Sequence, residues 1–387
     1  MEISRETLLV VLAVAALAPL LADLPTHVRI PVVVTEIIAG IVVGPQVLDL
    51  AQPDPLLDAL SDLGLAFLFF MAGMEIDPAN MRGRPAALAA RGWVASLGLG
   101  MVIAAALWAT GAIGAPVLVG LALTTTALGA LVPILKDAHL ADHHVGRLVL
   151  AGGAAGEFGP IVALSIILAV ASGEPWRTVL LVVFAVVAIA AGVLATRARP
   201  ERIVRLVAAT MHSSGQLALR LALLLLGGLV VLAGSLGLDI VLGAFSAGFI
   251  VGLVARGGNA EAFHIKLDAV GYGFLIPIFF ISTGLGFDLD ALLGSATTLL
   301  LVPAFAALFL LVRGVPAWLF ARSELPEERE RTALAFMTAS ALPLVVAITE
   351  VATENGRLAQ DDAAALVGAA MLSLLVFPLA GTALLRR

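Results

Sequence analysis

Thr124-Thr125-Thr126-Ala127-Leu128, with Gly129 and Pro133 close behind, stands in the middle of a long apolar run, and Thr338-Ala339-Ser340-Ala341-Leu342-Pro343 repeats the pattern in a second run towards the C-terminus. Threonine and serine hydroxyls compete for backbone groups, and proline removes a donor, so both stretches weaken a helical ladder. Inside hydrocarbon, irregular backbone is tolerable only where it is buried in protein or lines a wet cavity. The two stretches predict two discontinuous helices, whose freed carbonyls and half-helix ends can coordinate a small cation. A Thr-rich packing face between close helices is the other reading.

The surrounding composition dictates where such helices reside. Of 387 residues, 61% are hydrophobic and 13% charged, about half the charge usual in soluble domains. A soluble chain of this size needs far more polar surface. A net charge of −6 with no basic block excludes a nucleic-acid binder. Without cysteine there is no disulfide framework, thiolate metal site or redox switch. The chain reads as an all-α polytopic membrane protein. About thirteen runs reach the roughly 20 residues needed to cross a bilayer. They lie near 7–24, 30–48, 57–75, 87–110, 115–135, 146–171, 177–196, 215–236, 238–255, 269–287, 295–320, 331–352 and 363–385. A signal peptide is the alternative for the first, but its leading segment is acidic and its small-residue site is followed by Pro19.

Positive charge tests the count. With the N-terminus outside and the C-terminus cytoplasmic, only Arg5, Arg177 and Arg357 of the 22 Lys and Arg fall outside, and Arg220 and Arg313 fall within spans. All others fall in inner loops, as the positive-inside rule requires. The stretch Arg197–Arg205 reads as an inner-surface linker.

Three motif pairs recur in the same order. Ile38-Ala39-Gly40-Ile41-Val42-Val43-Gly44 in span two matches Ser246-Ala247-Gly248-Phe249-Ile250-Val251-Gly252 in span nine. Phe69-Phe70-Met71-Ala72-Gly73 in span three matches Phe279-Phe280-Ile281-Ser282-Thr283-Gly284 in span ten, and the Thr/Ser stretches pair spans five and twelve. Chance similarity of Ala/Gly/Leu-rich segments is the competing explanation. Partners lie seven spans apart, an odd number, so the second copy runs upside down. The expected organisation is one transmembrane unit over 1–387, with a first repeat at 30–171, linker helices at 172–237 and an inverted five-helix repeat at 238–387. Inverted repeats are the architecture of secondary transporters.

Few ionisable groups lie at depth. Glu157, in Ala155-Gly156-Glu157-Phe158-Gly159-Pro160, is the deepest. A buried acid costs at least about 2.5–3.5 kcal/mol, which marks it as a functional candidate. A lone carboxylate in a cavity can hold a proton or a metal ion in competition, and this makes Glu157 the expected proton and cation seat. Arg313 is either the charge-compensating partner of Glu157 or a snorkelling residue. Glu36 is expected to be a structural intramembrane acid, and Arg220 a snorkelling residue. The expected broken-helix cation site is Thr124, Thr125, Thr126, Thr338 and Ser340. His139, His143 and His144 read as part of a solvated inner loop, a metal site or pH sensor being the alternative. No catalytic pair, resident metal or cofactor is expected, so the chain does not read as an enzyme.

These residues resemble the monovalent cation:proton antiporter superfamily, in the branch of bacterial sodium/proton and potassium/proton antiporters. The resemblance rests on Arg29-Ile30-Pro31 through Glu36-Ile37-Ile38-Ala39-Gly40 to Gly44-Pro45, on Leu63-Gly64-Leu65 to Asp77, on Pro277-Ile278-Phe279-Phe280 to Gly284, and on Thr124-Thr125-Thr126 leading to Lys136-Asp137. It implies the sodium/proton antiporter fold, a dimerisation domain beside a six-helix core that moves like an elevator, and a homodimer. Relatives carry a polar pair in the sixth helix; Glu157 stands at its second position and Gly156 at its first. Arg313 matches a basic residue of the eleventh helix. Many relatives have Gly-Glu-Phe where this chain has Ala341-Leu342-Pro343. With a single evident carboxylate, one-for-one electroneutral exchange is the expected stoichiometry, and gating by an appended nucleotide-binding domain is not expected. The implied function is secondary antiport of H⁺ against Na⁺ or K⁺ in the inner or plasma membrane. A cation channel, or an organic-anion symporter of the same fold, is the alternative.

Overall fold

A computed structural model describes residues 5–23, 31–75, 83–141, 143–171, 215–236, 240–255, 260–354 and 356–385, with isolated positions between 176 and 190. The described residues are helical or in turns, with no strand among them. Every expected span except the seventh has a described helix. The seventh span lies largely outside the described residues, as do Arg197–Arg205 and many of the other basic loop residues.

The helices run α1 (Arg5–Ala22), α2 (Val32–Val43), α3 (Pro55–Glu75), α4 (Arg84–Ala109), α5 (Pro116–Ala122), α6 (Leu128–Asp137) and α7 (His144–Ala171). After the linker come α8 (Leu217–Ser235), α9 (Ile240–Val254), α10 (Ala260–Val270), α11 (Ile276–Leu285), α12 (Leu289–Leu293), α13 (Ala296–Phe309) and α14 (Val315–Phe320). The chain closes with α15 (Glu328–Thr338), α16 (Pro343–Glu354) and α17 (Gln360–Leu385). Two π-turns, Gly271–Leu275 and Leu310–Gly314, join α10 to α11 and α13 to α14 without ending either span. Among the described residues nine helical segments are long and apolar enough to cross a membrane, three of them composite (α10 with α11, α13 with α14, and α15 with α16), and α2 and α9 are shorter apolar helices. Large aliphatic side chains such as Leu9, Val102, Leu224 and Leu300 point outwards, as a lipid-facing surface requires. The protein is a multi-pass membrane protein.

The chain divides into two compact units. One contains α3, α8, α9 and α10. Within it α3 and α9 meet backbone to backbone. A methyl group added to Gly73 would lie 2.2 Å from the Phe245 carbonyl oxygen, and one added to Gly248 would lie 1.9 Å from that of Phe70. Small residues permit such approach, and in lipid, close van der Waals packing replaces the hydrophobic drive.

The other unit contains α1, α2, α4 to α6, most of α7, and α12 to α17. Here the C-terminal end of α11 lies on α2, where an added methyl at Gly284 would strike the Ile37 carbonyl at 2.3 Å. Gln46, in the turn after α2, accepts a hydrogen bond from the Leu289 amide at 2.6 Å at the start of α12. Exchanging the two sequence repeats converts the span three–span nine contact into the span ten–span two contact. The glycine motifs of spans three and nine, and that of span ten against span two, are thus the surfaces at which these helices dock.

Both expected discontinuities are present. The first interrupts residues 123–127 between α5 and α6, and the second residues 339–342 between α15 and α16. The threonine run sets the first: Thr124 and Thr125 hydroxyls donate to the Leu121 and Ala122 carbonyls at 2.7 and 2.8 Å. Those bonds satisfy carbonyls that the next helical turn would have used. Gly129 and Pro133 lie inside α6 rather than at the break. At the second break Pro343 opens α16, a first-turn position where its missing N–H costs nothing.

Candidate functional site

The two breaks cross each other. The Ala127 amide donates to the Ser340 carbonyl at 2.7 Å, and the Thr126 hydroxyl donates to the Thr338 carbonyl at 2.6 Å. Opposed half-helix ends thus meet deep in one unit, with Thr124, Thr125, Thr126, Thr338 and Ser340 all buried. The Thr338 hydroxyl donates to the Leu334 carbonyl at 2.8 Å, and that of Ser340 to Phe336 at 3.3 Å. Four of the five hydroxyls therefore spend their hydrogens within their own helix, their oxygen lone pairs still able to accept. Thr126 alone reaches across.

The uninterrupted α7 presses against this crossing. Its Gly156 carbonyl accepts the Thr126 amide at 3.0 Å. A methyl group on Gly156 would lie 2.3 Å from Thr126 Oγ1 and 2.9 Å from an Arg313 guanidinium nitrogen. Only a residue without a side chain admits this approach. The next residue, Glu157, is 8% exposed.

Arg313 is 1% exposed, so its head does not snorkel to an interface. It rises from the π-turn Leu310–Gly314. Its Nε donates to Thr126 Oγ1 at 2.9 Å, and its Nη2 donates to the Gly152 carbonyl, one turn before Gly156. A guanidinium fork suits two acceptors in fixed directions. The cation also shares its cavity with Thr338, the last residue of α15, and a helix C-terminus favours positive charge. A cavity of about 30 Å³ reaches Arg313 from between α4, α7, α14 and α15, lined in part by Leu88, Gly92, Leu148, Gly152 and Thr338. It has room for about two waters.

Elsewhere, Glu36 is 4% exposed in α2 and Arg220 is exposed in α8. His144 pairs with Glu324 at 3.2 Å, and Arg84 reaches the other oxygen of that carboxylate at 2.7 Å. No group of three or more metal-ligating side chains occurs among the described residues. Sequence reasoning missed Ser373 of α17. Its hydroxyl accepts the Ala341 amide at 3.0 Å and donates to the Ala370 carbonyl at 2.8 Å, docking the second break. A lone serine in a small-residue helix carries no signal for that role.

The family model for the transmembrane sodium/hydrogen exchangers matches residues 12–387. The chain belongs to the sodium/hydrogen exchanger family. A putative Na⁺/H⁺ antiporter of Bacillus subtilis, YjbQ, is 30% identical over 99% of this chain, which spans 64% of that relative's length. The Na⁺/H⁺-K⁺ antiporter GerN of Bacillus cereus is 23% identical over 93% of this chain and 91% of its own. In fold, the chain is similar to the sodium proton antiporter MjNhaP1 of Methanocaldococcus jannaschii, with a TM-score of 0.66, 16% identity and 99% of both chains covered. The sodium/hydrogen exchanger fold, with its two broken helices and inverted repeats, is thus this chain's fold. The family is one of transporters rather than enzymes.

Proposed function

We propose that this chain exchanges H⁺ for Na⁺ or K⁺ across the plasma membrane, with its N-terminus outside, and that Glu157 is the seat for which proton and cation compete. One observation carries the reading: a buried carboxylate on an unbroken helix, one residue from the carbonyl that holds the crossing of two broken ones. Carbonyls at the breaks, with the oxygens of Thr124, Thr125, Thr338 and Ser340, supply the neutral ligands a partly dehydrated alkali cation needs. Arg313 compensates the carboxylate when neither ion is bound. The Bacillus relatives are a putative Na⁺/H⁺ antiporter and a Na⁺/H⁺-K⁺ antiporter, which makes both Na⁺ and K⁺ candidate cargo here.

Exchange needs the seat to face each side in turn. The proposed carrier is a homodimer in which the unit containing Glu157 travels as an elevator, and one carboxylate implies one proton per cation. Purified protein in liposomes with an internal pH dye tests this. Addition of Na⁺ or K⁺ should move protons in the wild type, with no dependence of rate on a clamped voltage. Glu157→Gln should abolish that movement while unfolding at the wild-type temperature. A Glu157→Gln protein that moves protons at the wild-type rate would refute the assignment.

A further inference from the structure

We propose that Thr126 is not a cation ligand but the positioning residue that holds Arg313 against the Glu157 helix, in the space that Gly156 leaves open. This rests on the reading of Glu157 as the exchange seat and adds how its compensating charge is held.

Three observations carry it. The single hydroxyl hydrogen of Thr126 is committed to the Thr338 carbonyl at 2.6 Å, and a lone pair of the same oxygen takes Arg313 Nε at 2.9 Å. An oxygen accepting from a guanidinium is a poor partner for a second cation, because two positive charges would then share one small dipole. At Gly156 the geometry admits no side chain, since an added methyl group would sit 2.3 Å from Thr126 Oγ1. Gly152, one turn earlier, offers its carbonyl to the other arm of the guanidinium. Two glycines on one face of α7 and one threonine at the break thus form a socket. Thr126 also ties that socket to the second repeat through Thr338, so the arginine's placement follows the crossing as a whole.

The test is made in liposomes with Thr126→Val, Thr126→Ser and Gly156→Ala. Valine keeps the shape and loses both hydrogen bonds, serine keeps both, and alanine at 156 pushes into the socket from the opposite side. With Arg313 displaced, the carboxylate is less compensated, and proton and metal cation both bind it more tightly. Thr126→Val and Gly156→Ala should therefore lower the apparent KM for Na⁺ and K⁺ by the same factor, up to about tenfold, at pH values above the acid limb. They should also move the acid limb of the pH profile about one unit upwards, leaving the maximal rate near wild type. Thr126→Ser should behave as wild type.

The proposal is overturned if Thr126→Val changes the Na⁺ to K⁺ preference without moving the acid limb, which would make Thr126 a direct ligand. It is equally overturned if both limb and KM stay at wild-type values. Should Thr126→Val not fold, Gly156→Ala decides alone by the same two readouts. A transport-competent Glu157→Gln indicts the reading of the seat; an inactive Glu157→Gln beside a wild-type-like Thr126→Val indicts only the socket.

Discussion

The hydroxyl hydrogen of Thr126 points at the carbonyl oxygen of Thr338, 2.6 Å away and 212 residues along the chain. This bond joins the break of one repeat to that of the other, so a residue that looks locally disruptive is what fastens the halves. Two measurable consequences follow from the contacts around it, and two more from packing and burial elsewhere.

Arg313→Lys retains the charge but replaces a planar fork by a single nitrogen, which cannot serve Thr126 and Gly152 with the same geometry. Arg313→Gln retains polarity and loses the charge. Apparent cation affinity in liposomes, read above the acid limb of the pH profile, should rise in the order Arg, Lys, Gln, because the competing positive charge is loosened and then lost. Each lost charge-assisted bond costs about 1.5–3 kcal/mol of stability, read as a lower unfolding temperature in detergent. Equal affinity for all three proteins would show that charge compensation is not the role of Arg313.

Ser373→Ala strips the Ala341 amide of its partner at the second break. A buried donor left unsatisfied costs about 1–3 kcal/mol. Hydrogen exchange should quicken at Ala341 while the first break stays protected, because Thr126 and Ala127 are bonded to Gly156 and Ser340 instead.

Gly73→Ala and Gly248→Ala place a methyl group on a neighbouring carbonyl, whereas Gly98 in α4 has nothing within 4 Å of that position. The first two should each destabilise by about 1–3 kcal/mol. Gly98→Ala should be neutral or stabilise by up to about 1 kcal/mol through helix propensity. Thermal unfolding of the three variants in one detergent makes the comparison.

Two acids are buried among the described residues, and they are expected to part company. Glu36→Gln keeps the shape of a structural group in α2, and cation-driven proton movement should persist, since a structural role needs neither the charge nor the titration of Glu36. Loss of transport in Glu36→Gln comparable to that in Glu157→Gln would give Glu36 a part in the exchange.

Side-chain chemistry was the legible part of the fold. Hydroxyl runs announced both breaks, because Thr and Ser carry their own competing donors. The glycine motifs announced the docking of α3 on α9 and of α11 on α2, because only small residues let backbones touch. A deep acid and a deep base announced the site. Backbone groups carry no such letter in the sequence. The Gly152 and Gly156 carbonyls hold Arg313 and Thr126, yet these glycines read only as a smooth helix face. Pro133 illustrates the opposite error, a proline that sits inside α6 while the threonines seven to nine residues earlier end the preceding helix. The burial of Arg313 is likewise absent from the sequence, because spacing alone does not measure depth.

The π-turn at Leu310–Gly314 has an evolutionary corollary. A turn of this kind holds one residue more than its α-helical counterpart, so the helix beyond it is rotated by about 100° relative to an unbroken count. Val315 onwards therefore presents a different side from the one a steady 3.6-residue rhythm through Ala296 would assign. A homologue that deleted this single residue would turn its basic group away from the crossing unless a compensating insertion arose nearby. Insertions and deletions of one residue within this hydrophobic segment are thus expected to come in balanced pairs.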